Sequence, residues 1–282
     1  MIYAPLISPL RGYQRCRFIP LSYGAHDPTY ILYPNRATAM SLHETLQHRR
    51  AIRYYDPEKP LDSARVEECL RQATLAPTSS NMQLYRCYHI TDPAVIAALT
   101  PACLGQSTIR TAKEVVVFAI TPSRWRERVD HLFPRIIEDI HKHQPEEKWA
   151  KYEAMQREYM TKVVPFLYSR GCKVWGWARH LVMNAIALFR PMMRQGTECD
   201  MKTVLHKSCA LVAQTFMLAM SEAGYDTCPV EGFDARRVRK ALALPSSVEP
   251  SLIVSCGIRD EKRALGDRIR VPFENVYERI GK

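Results

Sequence analysis

Two runs of this chain constrain its centre more than anything else in it. Residues 114–121 read EVVVFAIT and residues 251–258 read SLIVSCGI. A strand with one wet face alternates polar and apolar residues; these runs are apolar and β-branched at nearly every position, so each is a strand buried on both faces. A sheet of that kind needs helices above and below it. The rest of the chain supplies them. Ser41-Leu42-His43-Glu44 is a capping box that starts a helix running to about Arg49. Asp62 or Ser63 starts a second, with an apolar stripe at Val66, Cys69, Leu70 and Ala73, closed by Pro77. Tyr85 to Ile90 reads as a strand, and Asp92 caps a short helix from Pro93 to Leu99. From Ser123 to about Arg194 the pattern is helical, and Leu205 to Glu222 is a further helix ended by Gly224. Asp234 caps a last short helix to about Leu242, and the tail from Arg268 onward is extended around Pro272. The order predicts a mixed layer with helices on both faces of one sheet. No Gly-rich turn follows a first strand, which disfavours a dinucleotide-binding Rossmann fold. Residues 1–40 carry prolines at 5, 9, 20, 28 and 34 without periodicity and read as an N-terminal extension to a domain over 41–282.

Apolar residues make up 46% of the 282 positions, enough for a sizeable core. The net charge of +11 favours anionic partners. The basic residues are dispersed, however, and no continuous basic face with interleaved aromatics marks a nucleic-acid surface. The nine cysteines form no CxxC pair and have irregular spacing, so they read as small buried apolar residues of a protein in the reducing cytoplasm. The longest apolar stretch, 181–189, is broken by Asn184 and too short to span a bilayer, and the N-terminus lacks a signal-peptide cleavage pattern. Aromatic residues of 149–189, Trp149, Trp175 and Trp177 among them, suit either the wall of an aromatic pocket or helix-packing core, and core is the reading favoured.

Four short segments carry polar groups suited to a ligand. Arg49-Arg50-Ala51-Ile52-Arg53 places three guanidiniums at a helix end, where the helix dipole also favours cations; each guanidinium can fork onto a phosphate. Pro77-Thr78-Ser79-Ser80-Asn81-Met82-Gln83 is a loop of hydroxyls and amides between a helix and a strand. Pro229-Val230-Glu231-Gly232-Phe233-Asp234 offers close backbone approach at its glycine, in a loop before a helix. Arg268-Ile269-Arg270 puts both arginines on one side of an extended segment.

In order and spacing, RR-x-x-R, then P-x-S-S-N-x-Q, then EGFD, then the basic tail resemble the FMN-dependent nitroreductase family over roughly residues 41–280. The resemblance implies an α+β fold: a central, mostly antiparallel mixed sheet flanked by helices, in a homodimer whose C-terminal segments are exchanged between subunits. It implies FMN at the interface, with Arg49, Arg50, Arg268 and Arg270 around its phosphate. Arg53 would lie by flavin N1 and the C2 carbonyl, and Gln106 near the pyrimidine edge. Ala51, Pro77, Thr78, Ser79, Ser80 and Asn81 complete the cofactor set, the serines and Asn81 coming from the partner subunit. The backbone around Pro229, Val230, Glu231 and Gly232 would face flavin N5, where hydride is taken and given, with no side chain acting as nucleophile and no metal. The activity implied is hydride transfer from NADH or NADPH through flavin to a nitroaromatic, quinone or similar conjugated acceptor. Reductive dehalogenation, oxygen-dependent flavin chemistry and non-catalytic flavin binding remain open alternatives. The chain departs from many relatives at Ala51, where a serine is common, at Leu84-Tyr85, where Pro-Trp is common, and at Arg53, where some have Lys. The helical stretch of 123–200 is a long insertion for the family, placed to cover the active site and set acceptor choice.

Overall fold

The computed structural model describes residues 40–169 and 173–281. Apart from Met40, the segment read from the sequence as an N-terminal extension lies outside these residues. The centre is a four-stranded sheet in the order β1 (Tyr85–Ile90), β2 (Glu114–Ile120), β4 (Glu249–Gly257), β3 (Asp226–Val230). All three neighbouring pairs are antiparallel. Among the described residues, the one parallel element beside them is a bridge between Ala51 and Thr227 on β3. The two apolar runs lie next to each other, with Val116 opposite Val254 and Val117 opposite Ile253, and every residue of β2 is buried.

Alternation sorts these side chains onto two faces. Val116, Phe118, Ile120, Leu252, Val254 and Cys256 pack on one side against α2 (Ser63–Ala73) and α9 (Glu198–Glu222). Val115, Val117, Ile253 and Val230 pack on the other against α3 (Pro93–Leu99), α4 (Ser107–Arg110) and α10 (Ala235–Ala241). The capping box is realised at α1 (Leu42–His48): Glu44 N donates to Ser41 Oγ at 3.2 Å and Ser41 N to Glu44 Oε2 at 2.7 Å. Of the described cysteines, Cys69, Cys103, Cys209, Cys228 and Cys256 are buried, as expected for small apolar side chains.

Two elements differ from the sequence expectation. The segment at Pro229–Val230 is the end of strand β3, not a loop. Five residues with a proline inside give no alternation to read, and an outer strand tolerates proline because one side of it needs no ladder donor. Helix α9 starts at Glu198 rather than Leu205, on a second capping box between Thr197 and Asp200. Its polar first turn hides the start from any apolar period.

The stretch read as an insertion forms α5 (Trp125–His143), α6 (Glu146–Glu158), a π-turn at Tyr159–Val163, α7 (Val164–Tyr168) and α8 (Lys173–Ile186). Met160, Val163, Val164, Leu167 and Met183 join the α9 core. Arg179, 1% exposed, is the pin. It donates to the carbonyls of Gly196 at 2.7 Å and Leu167 at 3.0 Å, and pairs with Glu198 at 3.2 Å. Trp175 and Trp177, expected in the core, are 41% and 62% exposed, because the buried stripe of α8 runs through Arg179 and Met183 instead.

Glu114 sits at the start of β2 beneath α2. Burial alone would raise its pKa, but His89 Nε2 at 2.6 Å and the Ser63 hydroxyl outweigh it and hold the carboxyl below its ordinary range. A carboxyl depressed on folding contributes stability above its unfolded pKa, and that stability is lost as pH falls toward the lower folded value. The urea midpoint of the wild type is therefore expected to drop across that acid window, and Glu114→Gln to flatten the drop. Parallel pH profiles for the two proteins would contradict the assignment.

Candidate functional site

The arginine-rich segment is held in place by what flanks it. After α1 the chain turns extended along the outer side of β3, where Ile52 N donates to Thr227 O at 3.2 Å. Ile52 and Tyr55 are buried, so alternation leaves Ala51 and Arg53 exposed. Tyr55 Oη donates to Ser255 O at 2.9 Å, and Thr108 Oγ1 donates to Ile52 O at 3.1 Å. Burial pushes the Tyr55 phenol far above its usual pKa, so it stays a neutral donor. Its ring lies on Gly257, where any Cβ would clash with the ring carbons. On the other flank Arg259 grips Asp226, with Nε 3.0 Å from both carboxylate oxygens, and donates to His48 O at 3.1 Å. Burial first, then the Arg259 charge, lowers the pKa of His48, whose Nδ1 lies 2.9 Å from Ser221 Oγ. The end of α1 is thus fixed to β3 and to the end of α9.

This arrangement opens a cleft of about 480 Å³ lined by Arg49, Arg268 and Arg270, with Pro229 of β3 and Gln214 and Met217 of α9. Arg268 Nη2 donates to three carbonyls at the C-terminal end of α1: Leu46 at 3.2 Å, and Gln47 and Arg49 at 2.9 Å. Those are the carbonyls a helix end leaves without partners. Arg50 reaches the tail through Gly266 O at 2.6 Å. Among the described residues, no carboxylate pairs with Arg49, Arg50, Arg53, Arg268 or Arg270. Burial, then the nearby charges of Arg268, Arg270 and Arg50, pull the pKa of Arg49 down. A half-buried cation crowded by like charges is stabilised by a nearby anion.

The remaining candidates fall into two groups. Gln106 Nε2 donates to Gly232 O at 2.8 Å, which joins the Gln106 turn to the EGFD segment. Glu231 is exposed; Val230 points into the core, so only its backbone can face a ligand. Asp234 caps α10 through Arg236 N and Arg237 N. Pro77, Thr78, Ser79, Ser80 and Asn81 do not line the cleft of their own chain, and neither does Arg53. Their loop is strained: Ser80, Asn81 and Gln83 have φ of 54°, 52° and 47°, a conformation that clusters at ligand sites. It is braced by the insertion, with Tyr168 Oη donating to Ser79 Oγ at 2.9 Å and Tyr159 Oη 2.7 Å from Ser80 Oγ. Sequence reasoning missed Gln214, Met217, Tyr159 and Tyr168. The first two lie on a helix that reads simply as core, and no motif marks the tyrosines.

Fold and site together define an α+β protein with a cationic cleft at one edge of its sheet. The family model described as the nitroreductase family matches residues 46–258. Protein DrgA of Synechocystis sp. is 22% identical over 238 residues, covering 83% of this chain and 93% of that protein. A Thermus thermophilus protein named NADH dehydrogenase is 25% identical over 229 residues, covering 81% and 90%. Among solved structures, one from Exiguobacterium sibiricum in complex with FMN superimposes with a TM-score of 0.58 at 22% identity, covering 86% of this chain and 98% of that one. The chain belongs to the nitroreductase family, and it is an oxidoreductase.

FMN fits the residues present. Its phosphate is a dianion, and the cleft presents Arg49, Arg268 and Arg270 without a carboxylate partner, Arg49 being destabilised by their company. A phosphate there would relieve that repulsion and accept their forked hydrogen bonds.

Proposed function

We propose that this protein binds FMN and transfers reducing equivalents from NADH or NADPH to a nitroaromatic, quinone or similar conjugated acceptor, and that it works as a homodimer in the cytoplasm. The observation that carries the reading is the cleft of unpaired arginines held at the edge of β3. When bound, FMN supplies the ring that accepts and donates hydride. The chain's own part is positional and electrostatic. Arg49, Arg50, Arg268 and Arg270 hold the phosphate. Arg53 supplies positive charge where the reduced ring becomes negative. Gly232 and its neighbours leave the backbone free to approach the ring, with Gln106 beside them.

Two features support the dimer. The Ser79–Asn81 loop is absent from its own chain's cleft, so a second copy would be needed to complete the cofactor set. The tail also exposes Ile269, Phe273, Val276 and Ile280 at 84%, 63%, 71% and 92%, a row of apolar side chains that a partner would cover. The seven described cysteines are free thiols, which suits a reducing compartment. No described helix is long and apolar enough to cross a membrane.

The test is the visible spectrum of the purified protein, before and after NADH or NADPH is added without oxygen. Flavin absorbance that bleaches is the expected result. A yellow protein that does not bleach would instead point to flavin storage, and one that stays colourless with FMN supplied would refute the reading.

A further inference from the structure

A second cleft, of about 430 Å³, opens where the end of α2, the start of β1 and the first turn of α5 meet. It shares no lining residue with the first. Three guanidiniums face it, from Arg71, Arg86 and Arg128, along with the Glu67 carboxylate. Glu67 is committed to Arg71, 2.5 Å away on the same helix. Arg86 lies over the Tyr88 ring at 5.6 Å, and neither Arg86 nor Arg128 has a carboxylate partner among the described residues. Arg128 is the informative one: its Nε is buried and has no hydrogen-bond partner. A guanidinium cannot shed its proton to escape that situation, and a buried charged donor left unmade is among the more costly defects a fold carries. Tyr85 forms the floor, close enough to Arg128 that the arginine charge opposes the burial holding the phenol up at about 12. Thr74 and Gln83 add neutral hydrogen-bonding groups at the rim.

We propose that this cleft is a second anion site, separate from the arginines at the edge of β3, and that it takes a small organic phosphate monoester. Three guanidiniums against one carboxylate leave two positive charges, which match a phosphate dianion. The Arg128 fork supplies the orphaned donor, Arg86 the second cation, and the volume accommodates a modest organic group beyond the phosphate. Because α5 opens the insertion, an occupant would bridge the insertion to α2 and β1. The inference stands whether or not the protein binds flavin.

Phenyl phosphate, with inorganic phosphate beside it, tests this by isothermal titration. The protein titrated is Arg268→Ala/Arg270→Ala, so that the first cleft is weakened, at two salt concentrations. One saturable site is expected, tighter for phenyl phosphate than for inorganic phosphate. Adding Arg128→Gln should weaken it about tenfold or more, the loss of one charge-assisted hydrogen bond. Melting should be undiminished, because that substitution removes an orphaned donor. Arg86→Gln provides a second variant should Arg128→Gln fold poorly. No saturable heat, or heats unchanged by both variants, would overturn the site. Equal affinity for the two probes would overturn the monoester assignment.

Discussion

Replacing Arg268 and Arg270 together by alanine should weaken FMN binding by about a hundredfold or more while leaving a protein that still folds. Each guanidinium contributes a charge-assisted hydrogen bond to phosphate worth about 1.5–3 kcal/mol, so the pair contributes about 3–6 kcal/mol, and each 1.4 kcal/mol is roughly tenfold in affinity. The folding cost is smaller. Arg270 is exposed and, among the described residues, bonds to the neighbouring Ile269 O, and Arg268 serves the end of a short surface helix. Loss of those capping contacts should lower the melting temperature by about 2–4 °C, corresponding to about 1 kcal/mol in a domain of this size. Relief of repulsion on Arg49 works in the other direction, since Arg268 and Arg270 are the largest charged contributors to its lowered pKa. Flavin fluorescence on titration gives the affinity, and a thermal melt of the apo-protein gives the stability. A double variant that holds FMN as tightly as its parent would mean the phosphate sits elsewhere.

Arg179→Met is the substitution with the largest expected effect on stability. The arginine is 1% exposed and ties α8 to two other segments, the end of α7 at Leu167 and the start of α9 at Gly196 and Glu198. Methionine fills much of the volume but leaves the Gly196 and Leu167 carbonyls and the Glu198 carboxylate without their donor. Breaking a buried pair by removing one partner costs about 3–5 kcal/mol, since the groups left behind stay desolvated. For a domain of this size that is a fall in melting temperature of about 6–20 °C. Amide exchange locates the damage: α7 and the start of α9 should lose protection first, while β2 and β4 keep theirs. A melting temperature within about 2 °C of wild type, with exchange unchanged, would mean that Arg179 fills space and pins nothing. The insertion also braces Ser79 and Ser80 through Tyr168 and Tyr159, so disorder there should reach the polar loop.

By itself the sequence determined the elements that local chemistry specifies. The runs at 114–121 and 251–258 could only be buried strands, and they pair at the centre of the sheet. Ser41 with Glu44, Asp62, Asp92 and Asp234 each cap the helix their side chains predicted, because a cap needs only its own first turn. The arginines, the polar loop and the EGFD segment could be picked out as groups suited to a ligand for a similar reason: residue type and spacing carry that suggestion. Tertiary structure decided what those local signals cannot hold. It made Pro229 part of β3, because a short edge strand exists only through its partner β4. It placed Arg49 beside Arg268, distant in sequence, through the Arg259–Asp226 clamp and the burial of Tyr55 on Gly257. It also made Arg179 a core residue, where composition alone would put an arginine on the surface. In each case the deciding energy is a contact between segments far apart in the chain, and no window of neighbouring residues contains both halves of it.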